Sequence, residues 1–398
     1  MVALEGSTER HHSRFSATRR EGERVTPLEL FFDLVFVLAL TQCTALMAYD
    51  QTWSGLAQGL LVLGVLWWAW VGYSWLTSVI DPEEGVVRLV IFVAMAAMLV
   101  VSLSVQKAFG NLALSFAFGI GIYRTAHIVL FWLAGADDKD LRRSVTGLAV
   151  STAVAVGILT LASLFDGLAQ GALWGLAIFL DMAGPYFFGA EGWKIVPGHF
   201  AERHGLILII ALGESIVAIG VGASGALDLG IGAAAVLGIF LAAALWWTYF
   251  DVVALISARR LSQAEVGRVQ NELARDSYSY IHLLLIAGIV MIALGLKVTI
   301  GHYDEHLHEV PAFALLGGVA IYLIGLVAFR YRHIRTLNRH RLGMAIVLLL
   351  LVPVAMEIPA LLTVAIAVVL IWAMIAFEHR GYGPSRAELR REANAAHS

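Results

Sequence analysis

Charge and cysteine are the scarce commodities of this sequence. Only 14% of its 398 residues are charged, against about 25% in an ordinary globular domain. Hydrophobic residues reach 59% and the mean hydropathy is +0.79. A soluble domain of this length cannot bury so much apolar surface, so the chain reads as a membrane protein with the lipid bilayer as its main partner. The single cysteine, Cys43, excludes an intrachain disulfide and any cysteine-built metal site. No Walker sequence, H-E-x-x-H pair or Cys/His ligand cluster occurs, which argues against an ATP-driven pump and a zinc protease. No cofactor, metal or nucleic-acid partner is expected.

What is present is a series of apolar runs. A spanning helix needs about 20 mostly apolar residues, and runs of that kind lie near 28–48, 55–79, 86–106, 111–134, 144–165 and 170–188. After a polar break containing Pro197 and His199 they resume near 204–222, 229–256, 279–300, 311–330, 342–356 and 359–377. The expected fold is therefore all-α and polytopic, with about 12 transmembrane helices. The last two runs are short, and Pro353, Glu357 and Pro359 crowd their junction.

Positive residues favour cytoplasmic loops. With the N-terminus placed in the cytoplasm, all but three of the 27 Lys and Arg fall on that side; the exceptions are Lys107, Arg124 and Lys297. Both termini are then cytoplasmic. The first apolar run follows a long Arg-rich stretch and has no small-residue cleavage site close behind it, so it is expected to be a span and not a removable signal.

The two sets of six look related. LWWAWVGYSWL at 66–76 resembles LWWTYFDVVAL at 245–255; ELFFDLVFVLALTQ at 29–42 lies against ERHGLILIIALGES at 202–215; and the fourth spans share an Ile-Tyr pair at Tyr123 and Tyr322. Six spans per half bring both halves in from the same side, as parallel repeats. The expected divisions are a disordered tail at 1–25, a six-helix repeat at 26–190, a second at 191–379 and a cytoplasmic tail at 380–398.

Polar residues inside the spans mark candidate sites, because a buried charge in lipid is costly unless it is paired or wet. Thr26, Pro27 and Glu29 form a capping box that starts the first helix. Asp33, one turn deeper, should point into the bundle. The same argument selects Arg124 and His127 in the fourth span, Asp181 in the sixth, Glu214 in the seventh and Asp251 in the eighth. Glu214, read as half-way across and aligned with Thr41 and Gln42, sits among small residues that allow close helix approach. A solvated loop accounts for HYDEHLHE at 302–309, and GVGASG at 220–225 is expected to be a turn and not a dinucleotide motif.

TPLELFFDLVF at 26–36, with AERHGLILIIALGESIVAIG at 201–220, resembles the bacterial low temperature requirement A (LtrA) family across nearly the whole chain. That resemblance implies a many-span protein of the bacterial inner membrane and carries no activity with it. The F-x-D-x-V-F-x-x-A pattern is also similar to the two-repeat potassium channels of lysosomes and bacteria. The chain departs from them where phenylalanine precedes Asp33 and where His204, Gly205 and Leu206 stand in the second half.

Three functions fit these features. The first is a secondary transporter or ion-conducting protein, not an enzyme, with a central path for a small ion or solute lined by spans one, two, four, seven and eight. Its path residues are Asp33, Thr41, Gln42, Arg124, His127, Asp181, Glu214 and Asp251, with Arg124 as counter-ion to Glu214 or as an anion anchor. The second is a structural or sensory membrane protein supporting growth in the cold. The third is a membrane enzyme at the cytoplasmic rim, using His199, Glu202, Arg203 and His204.

Overall fold

The computed structural model describes residues 24–83, 85–135, 138–187, 192–223 and 228–395, with side chains through Arg380. The tail up to residue 23 and residues 224 and 225 of GVGASG lie outside the described residues.

The first six runs become α1 (Pro27–Tyr49), α2 (Trp53–Thr77), α3 (Gly85–Ser104), α4 (Ala113–Ala134), α5 (Lys139–Ala162) and α6 (Gly167–Phe187). The next are α7 (Pro197–Gly222) and α8 (Leu229–Phe250), with a short amphipathic α9 (Val253–Gln263) continuing after a break at Val252. Then come α10 (Arg268–Ala274), a seven-residue π segment at Arg275–Ile281, α11 (His282–Gly301) and α12 (Glu309–Ile334). The chain closes with α13 (Arg339–Leu350), α14 (Val352–Ala355) and α15 (Ala360–Ala395). The one β-contact among the described residues is an isolated bridge between His306 and Pro359.

Eleven helices among the described residues are long and apolar enough to cross a membrane. The expected run at 342–356 is not one of them as a single helix. Proline lacks the amide that helix continuation requires, and with Pro353 there the run forms α13 of 12 residues and α14 of 4. The pair still covers ground. At one end Asn338 and Arg341 bind Glu378 of α15; at the other, the amides of Ala360 and Leu361 donate to Glu305 and Tyr303 in the loop before α12. At the C-terminus helix α15 runs on through Ala395, well past the point where the sequence suggested a tail.

Helix starts follow their local chemistry. Thr26 caps α1 in the capping box that the sequence shows, with the Thr26 amide donating to Glu29 Oε2 at 2.9 Å. Thr52, Asp138, Asp228 and Asn338 cap α2, α5, α8 and α13 through their side-chain oxygens.

Six helix pairings recur in the same order on both sides of the chain's midpoint. In the first half α1 packs on α2 and α3, α3 on α4, α4 on α5, α5 on α6 and α2 on α6. In the second, α7 packs on α8 and α11, α11 on α12, α12 on α13, α13 on α15 and α8 on α15. Tyr123 of α4 donates to the Ala69 carbonyl of α2, and Tyr322 of α12 donates to the Leu245 carbonyl of α8. The halves meet where α1 lies against α7 and α11, with α2 beside them. Helix α8 packs on α7 and α11, and it is α11 that lies against α1.

The tightest seam is α11 on α12, where small residues bring the backbones together. A Cβ added at Gly288 would stand 2.6 Å from the Gly318 carbonyl oxygen, which belongs to a facing backbone and cannot swing aside. Gly288→Leu is expected to cost 3 kcal/mol or more, roughly the upper range for overpacking a core, and to abolish the monodisperse peak in detergent chromatography. Gly213→Ala, at a position with open space around it, should elute and melt like the parent.

Candidate functional site

The sequence places Glu29 and Asp33 four apart on α1, hence on one face. Four apart on α7 are His199 and Arg203. These two faces meet. Arg203 Nη1 donates to Glu29 Oε1 at 3.1 Å and Nη2 to Asp33 Oδ1 at 2.8 Å. His199 Nε2 is 2.9 Å from the same Glu29 oxygen, and Trp70 Nε1 of α2 donates to Asp33 Oδ1 at 2.9 Å. Glu29, Asp33, His199 and Arg203 are all at most 1% exposed. One guanidinium thus ties two carboxylates on the first helix of one half to the first helix of the other. The Trp70 ring packs edge-on against His204, whose ring also meets those of Tyr278 and His282. His282 Nε2 is bonded to the Tyr249 hydroxyl at 2.9 Å.

This arrangement revises two expectations. Glu29 is not only a cap, since its second oxygen holds Arg203 and His199. The segment around His199 and Arg203 is not a solvated rim, because His199, Arg203 and His204 are fully buried. Glu202 is the one member that faces outward, accepting the Val25 amide. The signal for this cluster was present as complementary i, i+4 pairs on α1 and α7, and only their packing shows that they meet.

A second polar group lies further along the same seam. Thr41 of α1 donates a short hydrogen bond to Glu214 Oε2, and Thr44 and Lys297 also act on that carboxylate. Glu214 stands two-thirds of the way along α7, about 16 Å beyond Arg203 at 1.5 Å per residue. Gln42 turns away and is paired with Gln106.

The third group is in the first half. Arg124 Nη2 donates to Asp181 at 3.1 Å and to Thr152 at 2.6 Å, and Thr152 donates to Asp181 at 3.1 Å. Arg124 is therefore the partner of Asp181 and not of Glu214. His127, one turn on, packs between Tyr73 and Phe131. Asp251 is buried at the C-terminal end of α8. No set of three His, Cys, Asp or Glu among the described residues is placed to hold a metal ion.

Residues 24–376 match the family model described as bacterial low temperature requirement A protein (LtrA), and the chain belongs to that family. The uncharacterized protein RA0937 of Rhizobium meliloti (strain 1021) is 29% identical over 94% of this chain and 95% of its own length. No solved structure matches.

Removing one partner of a buried ion group strands the other charges, at a cost of about 3 kcal/mol or more. Arg203→Met is therefore expected to lower the melting temperature sharply in detergent, while the triple variant with Glu29→Gln and Asp33→Asn recovers most of it. A triple variant as unstable as Arg203→Met would show that the guanidinium acts through packing alone.

Proposed function

We propose that this LtrA protein is a secondary transporter or ion-conducting protein of the bacterial inner membrane, and not an enzyme, with its path along the seam between two six-pass halves. The repeated neighbour pattern and the paired tyrosine-to-carbonyl bonds support two parallel repeats. The placement of α13 and α14, tied to Glu378 at one end and to the loop before α12 at the other, supports a twelfth crossing and both termini on the Arg-rich cytoplasmic side.

The observation that carries the reading is the cluster around Arg203. Two carboxylates face one guanidinium there, and His199 stands at hydrogen-bond distance from Glu29. A proton gained or lost at His199 or Glu29 changes the charge balance of the cluster, and histidine is the side chain suited to take up and release one near neutral pH. Because this charge balance spans α1 and α7, the cluster's protonation state sets how firmly the two halves hold each other. Glu214, held by Thr41 on the same two helices, supplies a second carboxylate toward the other side. Protonation at one level and release at the other, with the halves rocking about the seam, is a proton-coupled cycle.

A structural role is the competing reading, favoured by the ion pairs that Arg203 makes with both Glu29 and Asp33 in the interior. Flux separates the two. Purified protein in proteoliposomes, given proton, sodium and potassium gradients in turn, is expected to carry a proton-linked flux. Glu214→Gln should reduce that flux at least tenfold while leaving the melting temperature close to the parent's. Flux equal to the parent's in a well-folded Glu214→Gln variant, or none for any gradient, would favour the structural role.

A further inference from the structure

Between α2, α4, α5 and α6 lies a cavity that the seam does not use. Its volume of about 70 Å³ has room for several water-sized groups, each needing roughly 10 to 15 Å³. The walls are largely aromatic, with Trp68, Trp75, Phe131 and Trp193, and three cationic or cationisable side chains reach it: Arg124, His127 and Arg275.

The chemistry of the arginines is unbalanced. Of the Arg124 guanidinium only Nη2 is engaged, by Asp181 and Thr152, whereas its Nε is buried with no hydrogen-bond partner. Its Nη1 points at Gly72, another wall residue, where an added Cβ would stand 2.9 Å away. Arg275 and Arg332 share the single carboxylate of Asp276, which leaves one positive charge over at the cavity mouth. A buried donor without an acceptor is costly, and a guanidinium is shaped to receive a carboxylate. The excess of one charge fits a monoanion better than phosphate, which carries nearly two.

We infer that this cavity is a binding site for a small organic carboxylate with a flat apolar body, its anion held by Arg124 and Arg275 and its body lying among the tryptophans. Arg275 and Ser279 come from the π segment of the second half, and Trp75 Nε1 donates to Ser279 Oγ at 2.9 Å. Both halves therefore build the site, so relative movement would open or close it. As a binding site it stands apart from transport; as the solute site of a carrier it rests on the reading above.

Benzoate is the probe, with benzyl alcohol as its uncharged counterpart. Binding is followed by isothermal calorimetry on the purified full chain in detergent, with no gradient present. Benzoate is expected to bind the parent at least tenfold more tightly than benzyl alcohol. Arg275→Gln at the mouth should weaken benzoate at least tenfold, and Leu148→Trp, which fills the cavity from α5 without touching a charge, should abolish it. Equal binding of the two probes, benzoate binding indifferent to both substitutions, or no benzoate binding by parent protein that melts normally would overturn the assignment. Parent protein that binds benzoate yet carries no flux for any gradient would keep this site and remove the transport reading.

Discussion

The centre of this protein is organised around one guanidinium. Arg203 sits where α1 and α7 cross, fully buried, with Glu29 and Asp33 on either side of its fork and the Trp70 ring 5.5 Å from its central carbon. A stray charge buried between helices is costly, so the two carboxylates and the arginine have to be brought together as the halves assemble. That requirement fixes the rotation of α1 and α7 about their own axes. Once fixed, it directs Thr41 and Glu214, further along the same helices, toward each other as well.

The rest of the interior follows as layers around that seam. The aromatic and histidine side chains of α2, α7, α8 and α11 extend the polar group sideways, from Trp70 through His204 to His282 and Tyr249. Small residues let α11 approach α12 so closely that no side chain fits between them at Gly288. Each half of the chain carries an internal ion pair to its last long helix, Arg124 to Asp181 of α6 in the first and Arg341 to Glu378 of α15 in the second. Charge is scarce in this chain, and where it enters the membrane interior it is spent on joints between helices.

Much of this was legible in the residues. Hydropathy located the helices, the T-x-x-E pattern located the start of α1, and the depth rule picked Asp33, Arg124, Asp181 and Glu214 as groups that must face inward, as they do in Asp33, Arg124 and Glu214, with Asp181 held by Arg124. The short run at 342–356 was misjudged because window hydropathy does not register what Pro353 does to a helix. Pairings were out of reach for a different reason. Arg124 and Glu214 look like partners on charge alone, yet which helix faces are apposed is decided by packing over the whole bundle, and the choice of Asp181 for Arg124 depends on α5 and α6 closing against α4. Arg203 was visible as a positive residue near a membrane face and as one of the HFAERH group, but its pairing with Glu29 and Asp33 was not, since that depends on α7 packing against α1.

If the charged seam between α1 and α7 is a movable joint governed by protonation, distances between spin labels report it directly. With Cys43 replaced by alanine and labels at Tyr49 and Leu229, which are 92% and 94% exposed at ends of α1 and α8 in the two halves, pulsed electron resonance in nanodiscs measures how the halves sit. Such a joint gives two distance populations whose ratio shifts between acid and alkaline pH in the parent and stays fixed in Glu29→Gln. A single distance, the same at every pH in both, would show that the seam is a fixed joint.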